Sequence, residues 1–253
     1  MIQVREIFRH PLKSHGREAL KTVTLTENTT MPWDRCWAVA HEASKADGSE
    51  WVPCINFSRG SQAPNLMAIS AKFHEDSEAL TLSHPERKDF TFQPDDDRQL
   101  SGFLAWVRPL MPTERAQSSR IVRVPERGLT DTDYPSISIN NYASLRDLSK
   151  LMKTEISPLR WRGNIWVDGL SPWEELSWSG KKFKIGSVVF EGVEPIVRCQ
   201  ATTANPSTGK RDADTLGALN EGWSHQNFGL YAQVIKSGKI SIDDNALYKH
   251  KDI

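Results

Sequence analysis

Residues 198–209 read Arg198-Cys199-Gln200-Ala201-Thr202-Thr203-Ala204-Asn205-Pro206-Ser207-Thr208-Gly209. A thiolate in such a run needs a nearby positive charge or a metal to stabilise it. Arg198 supplies charge in sequence, although neighbours on an extended strand point to opposite faces. Thr202 and Thr203 carry hydroxyls that can donate to an anion, and Asn205 to Gly209 has the composition of a turn. The run by itself supports two readings. Cys199 is either a thiolate for a metal or anion, or a packed structural cysteine beside a turn, because a free cysteine behaves as a small hydrophobe.

Upstream, Arg160-Trp161-Arg162-Gly163-Asn164 puts two arginines two residues apart. As a strand, it aims both guanidiniums to one side, which suits a phosphate or other anion; the alternative is a solvated basic edge. Ile165-Trp166-Val167 then leads into the core. Lys13-Ser14 follows a proline-broken strand, and Arg35 heads Trp37-Ala38-Val39; each alone is a weak anion-binding signal. The Gly-rich phosphate loop, the HExxH zinc pair, the GxSxG elbow and the GxGxxG fingerprint are all absent, which removes the commonest hydrolase and dinucleotide readings. Cys36, Cys54 and Cys199 form no CxxC pair. They argue against a zinc site, an iron–sulfur cluster or a disulfide scaffold, and for a reducing compartment.

The rest of the chain sets the architecture. Strand patterns run over 2–8, 19–25, 34–40, 68–73, 79–82, 90–94, 122–125, 164–168, 182–185 and 187–191. Residues 231–236 and 239–242 read as a closing hairpin around Ser237-Gly238. Helical spacing marks 97–110, through Leu100, Phe103, Leu104 and Val107. It also marks 140–152, through Leu145, Leu148, Leu151 and Met152, and a short helix carries Leu216 and Leu219. Glu126 to Tyr134 is polar and reads as a mobile loop, a lid or a solvated connection. Short strands at this spacing predict an α+β, mainly β fold built from sheets or barrels, with a soft boundary between 112 and 135.

Lys plus Arg and Asp plus Glu are both 32, so no global basic footprint suggests a nucleic-acid partner. The first twenty residues carry no apolar signal segment, and no run nears the ~20 apolar residues of a membrane span. The expectation is a soluble cytoplasmic protein.

Taken in order, these stretches resemble the MOSC family, the domain found at the C terminus of molybdenum-cofactor sulfurases. More closely they resemble two-part proteins such as the mitochondrial amidoxime-reducing component and its bacterial homologues. His10-Pro11-Leu12-Lys13-Ser14 stands where the family writes Tyr-Pro-Val-Lys-Ser. Asp34-Arg35-Cys36-Trp37 matches Asp-Arg-x-Trp, and Arg162-Gly163-Asn164-Ile165 matches Arg-Pro-Asn-Ile. Tyr142-Ala143-Ser144-Leu145, Asp168-Gly169, Pro172-Trp173-Glu174-Glu175 and Phe228-Gly229 follow in order. The run at 198–209 matches Arg-Cys-x-x-Thr-Thr-x-Asp-Pro-x-Thr-Gly.

The resemblance implies a MOSC N-terminal β-barrel-like region over 1–112, packed on a MOSC β-barrel with a few helices over 113–253. It implies the molybdenum cofactor as ligand, with Cys199 as the metal-binding and catalytic residue. Lys13, Ser14 and Arg35 are implied to hold the pterin and its phosphate. Arg162 and Asn164 are implied as further contacts, together with Asn141, Ser144 and Thr203. The implied activity is an oxidoreductase that reduces N-hydroxylated compounds with electrons from a separate ferredoxin- or flavoprotein-type donor. The alternatives are a non-catalytic carrier of the cofactor or its sulfur, and a protein that holds a different small anion in the same cleft. Three departures from the family pattern stand out. Asn205 replaces an Asp and removes a charge near the ligand loop, Gly163 replaces a Pro, and Thr30-Met31-Pro32-Trp33 replaces a Gly-rich approach to Asp34-Arg35.

Overall fold

The computed structural model describes residues 1–247; the last six residues of the second expected part lie outside the described residues. The first half runs β1 (Ile2–Arg9), β2 (Glu18–Leu20), β3 (Thr22–Leu25), β4 (Trp37–His41), β5 (Ser70–His74), β6 (Ala79–His84), β7 (Arg87–Phe92), α1 (Asp97–Val107) and β8 (Ser118–Arg123). The second runs β9 (Ile137–Asn141), α2 (Tyr142–Met152), β10 (Ile165–Asp168), β11 (Lys182–Ile185), β12 (Val188–Val197), α3 (Thr215–Trp223), β13 (Asn227–Lys236), β14 (Gly238–Ser241) and β15 (Asn245–Leu247). The fold is mainly β, as expected.

Seven strands close into a barrel in the order β10-β9-β13-β12-β11-β15-β1, and β1 pairs back onto β10. Closure removes the exposed edges that an open sheet would present. Alternate residues fill the interior: Val4 and Ile7 of β1 meet Ile139, Val167, Phe183, Phe190 and Leu230. A second core lies around Leu12, Trp37, Phe73, Leu80, Phe92 and Phe103, between the β4–β8 pair, the β5-β6-β7 meander and α1. Helix α1 is capped by Asp96, which accepts from the Arg98 amide at 3.1 Å.

The two parts expected on either side of residue 112 interlock along the chain. Strands β1 and β2 belong to the barrel sheet of the second half, and β8, from beyond the expected boundary, pairs with β4 in the first.

Five local expectations are corrected. Strand β14 does not form a hairpin with β13; it pairs with β3, with Ile240 opposite Val23, so that the two apolar residues are buried together. The strand expected from Asp34 begins only at Trp37, because Trp33 and Arg35 both take left-handed turns. Arg160 and Arg162 are not on a strand. Pro158 opens a short 3-10 turn over Pro158–Trp161, and Arg162 ends it in the left-handed conformation. Helix α2 buries Leu145 and Leu148, but Leu151 is 37% exposed. The polar segment Glu126–Tyr134 is neither a lid nor a solvated loop. Leu129, Thr130 and Thr132 are buried, and the Leu129 amide bonds the Arg35 carbonyl at 2.8 Å.

Candidate functional site

Two segments broken out of the sheets build the first wall of a cleft. His10-Pro11 ends β1, and the chain then lies beside the start of β4. The Lys13 amide donates to the Trp37 carbonyl at 2.8 Å, and the Arg35 amide donates to the His10 carbonyl at 2.7 Å. Ser14, Arg35 and Arg162 all hold left-handed backbones, with φ of 63°, 53° and 49°. Each costs a non-glycine residue about 1 kcal/mol or more, and such strain concentrates at functional sites. All three line one cleft of about 860 Å³, counted with its open mouth, together with Lys13 and Cys199.

The charges in this wall are organised in pairs, with one exception. Lys13 Nζ donates to Asp131 Oδ1 and to the Leu129 carbonyl, each at 2.6 Å. Burial alone would raise the Asp131 carboxyl, but Lys13 and Arg35 outweigh it and hold it low. Arg35 pairs with buried Asp34 and donates to the Arg162 carbonyl at 3.0 Å. Burial would likewise raise Asp34, yet Arg35 and hydrogen bonds from His10 hold it well below the usual carboxylate range. Arg162 is the exception: both its terminal guanidinium nitrogens are buried without a partner. Burial and the neighbouring Arg35 and Arg17 lower its pKa to about 9, so it stays charged at neutral pH. An unpaired buried charge is expensive, and an anionic ligand is its natural complement.

Cys199 sits on the cleft with its thiol exposed, so the reading as a packed structural cysteine is excluded. Its loop is held from both sides. Arg198 donates to the Phe228 and Trp161 carbonyls, both at 2.7 Å, and to Asn140 Oδ1 at 3.0 Å. Its guanidinium lies near the Trp161 and Phe228 rings, which stack on each other at 3.9 Å. Arg198 therefore positions the cysteine as well as charging the cleft. Asn140 fits only because Gly163 and Gly229 leave it room: a Cβ on Gly163 would meet its Nδ2 at 2.0 Å. This explains the glycine in place of the family's proline. On the other side, Arg211 reaches from the end of the loop to the Ser61 carbonyl at 2.8 Å. Asn205 donates to Asp212 Oδ2 at 2.7 Å, and Asp212 accepts from Arg160 at 2.6 Å. An Asp at 205 would repel Asp212, so the substitution suits this loop.

Of the residues expected at the site, Lys13, Ser14, Arg35, Arg162 and Cys199 line the cleft. Four others do not. Asn164 is buried, and its amide group is spent on Ser138 and the Phe8 carbonyl. Thr203 donates to the Gln200 carbonyl at 2.8 Å and accepts from Arg211. Asn141 caps α2 by accepting from the Ala143 amide at 2.9 Å, and it also donates to buried Glu175 at 2.9 Å. Ser144 donates to the same carboxylate at 2.8 Å. These residues brace the fold around the site, and their polar atoms have partners inside the protein. Sequence reading missed Asp131, within the polar 126–134 segment, and the second wall of the cleft with Cys54 and Arg59. The Lys13–Asp131 pair spans 118 positions of sequence, and no local pattern announces it.

The MOSC domain family matches residues 129–246, and the MOSC N-terminal beta barrel domain family matches residues 1–111. A molybdenum cofactor sulfurase of Caenorhabditis elegans is 34% identical over 121 residues, which are 46% of this chain and 17% of that protein. Mitochondrial amidoxime reducing component 2 of Bos taurus is 31% identical over 124 residues, 44% of this chain and 36% of that protein. The matched regions are thus a minor part of these relatives' length. Among solved structures, the YUAD protein from Bacillus subtilis is similar over 98% of both chains, with 10% identity and a TM-score of 0.48. With both parts matched in order, and a closed β-barrel carrying the Arg198-Cys199 loop, the chain belongs to the MOSC family.

Proposed function

We propose that the cleft binds the molybdenum cofactor through Cys199, and that the loaded protein reduces N-hydroxylated compounds with electrons from a separate ferredoxin- or flavoprotein-type donor. One juxtaposition carries this reading: an exposed thiol and the unpartnered buried guanidinium of Arg162 line the same cleft. A soft thiolate suits a molybdenum centre, and a guanidinium suits an anionic cofactor. Both family relatives described above are named for the cofactor or for amidoxime reduction.

The chain's own residues would divide the work. Cys199 supplies the thiolate, and Arg198 keeps it at the cleft by fixing the backbone before it. Arg162 neutralises anionic charge. Lys13, Ser14 and Arg35 line the cleft and would hold the pterin phosphate. Because Asp131 and Asp34 already balance Lys13 and Arg35, the wall is held in place before any ligand arrives. The bound cofactor supplies two-electron oxygen-atom chemistry; the protein supplies orientation and electrostatics. A reducing cytoplasm would keep the exposed thiol free. Among the described residues no helix is long and apolar enough to cross a membrane.

The test is metal analysis of protein made in a host that synthesises the cofactor. The expected result is about one molybdenum per chain, lost in Cys199→Ser and reduced in Arg162→Gln. Reduction of benzamidoxime with a chemical reductant then reads the activity. Tight binding without turnover would favour a carrier, which the open position of Cys199 also suits. Absence of molybdenum from the wild type would favour a different anion and refute the cofactor reading.

A further inference from the structure

The second wall of the cleft is a separate segment with its own cation. Among the described residues, three of the cations lining the cleft have carboxylate partners: Lys13 with Asp131, Arg35 with Asp34, and Arg160 with Asp212. Arg198 is spent on neutral oxygens, and Arg162 belongs to the first wall. Arg59 is different. Its side chain donates from Nη1 to Cys54 Sγ at 3.3 Å, and among the described residues it has no carboxylate partner and shares no hydrogen bond with the Lys13–Arg35–Arg162 group.

The backbone carrying Arg59 is rigid. The Ser58 amide donates to the Val39 carbonyl at 2.8 Å, and the Arg59 carbonyl accepts from Gln62 and Ala63 at 3.0 and 2.9 Å. Phe57 and Ser58 are buried. The segment also meets the cysteine loop. A Cβ on Gly60 would lie 3.5 Å from that of Ala201, and the Ser61 carbonyl accepts from Arg211. Cys199 thus has the anion-binding first wall on one side and Arg59 on the other.

Arg59 also lines a second, adjoining groove of about 680 Å³ with Ile55, Phe57 and Met111. Arg59 therefore lines both the cysteine cleft and this groove, which also carries His41, Gln62 and Arg115 and has room for the body of a small organic ligand.

We infer that Arg59 recognises an anionic group on the substrate, so that the protein prefers acidic N-hydroxylated compounds over neutral ones; this rests on the reductase reading above. The guanidinium fork binds a carboxylate in a directed, charge-assisted pair. Its attachment to Cys54 limits the conformations that binding must freeze out.

Two measurements separate this inference from the reading it rests on. The first is calorimetric binding of unreactive amides, 4-carbamoylbenzoate against benzamide, to cofactor-loaded protein. The acid should bind about tenfold more tightly at low ionic strength, and the preference should shrink as salt is added. In Arg59→Gln the ratio should fall towards one, while Arg59→Lys, which keeps the charge, should retain part of it. Equal binding of the two amides by the wild type overturns the inference, as does a ratio that survives Arg59→Gln. The second is turnover of the corresponding amidoximes. Turnover of both with equal KM overturns the Arg59 inference and leaves the reductase reading standing. A retained binding preference with no turnover supports Arg59 as the anion-binding residue and overturns the reductase reading instead.

Discussion

Replacing Asp34 with Ala tests whether the first wall of the cleft is an electrostatic unit. The Asp34 side chain is 1% exposed and that of Arg35 is 12% exposed. Asp34 accepts from the His10 amide at 2.7 Å, faces His10 Nδ1 at 3.2 Å and pairs with Arg35. Deleting it strands the Arg35 guanidinium close to Arg162, which already lacks a partner. Breaking a buried pair by removing one partner costs about 3–5 kcal/mol. The His10 amide also loses its acceptor, which adds about 1 kcal/mol or more. Water reaching Arg35 recovers some of this, so the expected loss is about 4 kcal/mol, or a fall of roughly 8–16 °C in the melting temperature of a chain this size. Asp34→Asn keeps an oxygen acceptor for the His10 amide and should cost less, about 2–3 kcal/mol. Urea unfolding at pH 7 with unchanged slope gives the free energies. A loss below about 1 kcal/mol for Asp34→Ala would refute the argument, and so would Asp34→Asn proving as costly as the alanine variant. The same variants should retain less molybdenum, because Arg35 also holds the Arg162 carbonyl.

Further outcomes follow from the same contacts. Burial, with Arg162 adding to it, lowers the pKa of His10 to about 3 and that of His15 to about 4. The unfolded chain therefore binds more protons below pH 6.5, and stability should fall as the pH drops. Each histidine should contribute roughly 2 kcal/mol to the loss between pH 7 and pH 5. Urea titrations at the two pH values read the loss directly, and a flat profile would contradict it. Gly163→Ala places a methyl 2.0 Å from Asn140 Nδ2 and pushes Asn140 off Arg198. It should destabilise the protein by about 1–3 kcal/mol and lower the molybdenum content of the folded fraction, read by metal analysis after gel filtration. Ser144→Ala leaves a buried Glu175 carboxylate short of a donor, with an expected cost of about 1–3 kcal/mol. Its molybdenum content per folded chain should equal that of the wild type. A selective loss of metal in this variant would restore Ser144 to the site.

Much of the protein was legible locally. Alternation and turn residues placed β1, β5 to β7 and β11 within a few positions, because a strand's buried face repeats every second residue. The left-handed residues at 14, 35 and 162 left no such trace, since Ser and Arg carry no signature for that conformation. Their neighbourhoods were visible only as the family's ordered motifs. Polar residues misled in both directions. Asn141, Ser144, Asn164 and Thr203 fall within or beside those motifs, yet their donors and acceptors are consumed inside the protein. Asp131 looked like part of a solvated loop and instead anchors Lys13.

The sequence by itself determined the mainly β class and the family, because periodicity and motif order are written along the chain. Only the tertiary structure decided which side chains meet. It threaded β1 into the second half's barrel and β8 into the first half's sheet. It also left Arg162 without a partner and stood Arg59 on a separate wall facing the Cys199 loop. Those outcomes depend on contacts between residues far apart in sequence, where burial and charge balance, and not local propensity, set the energy.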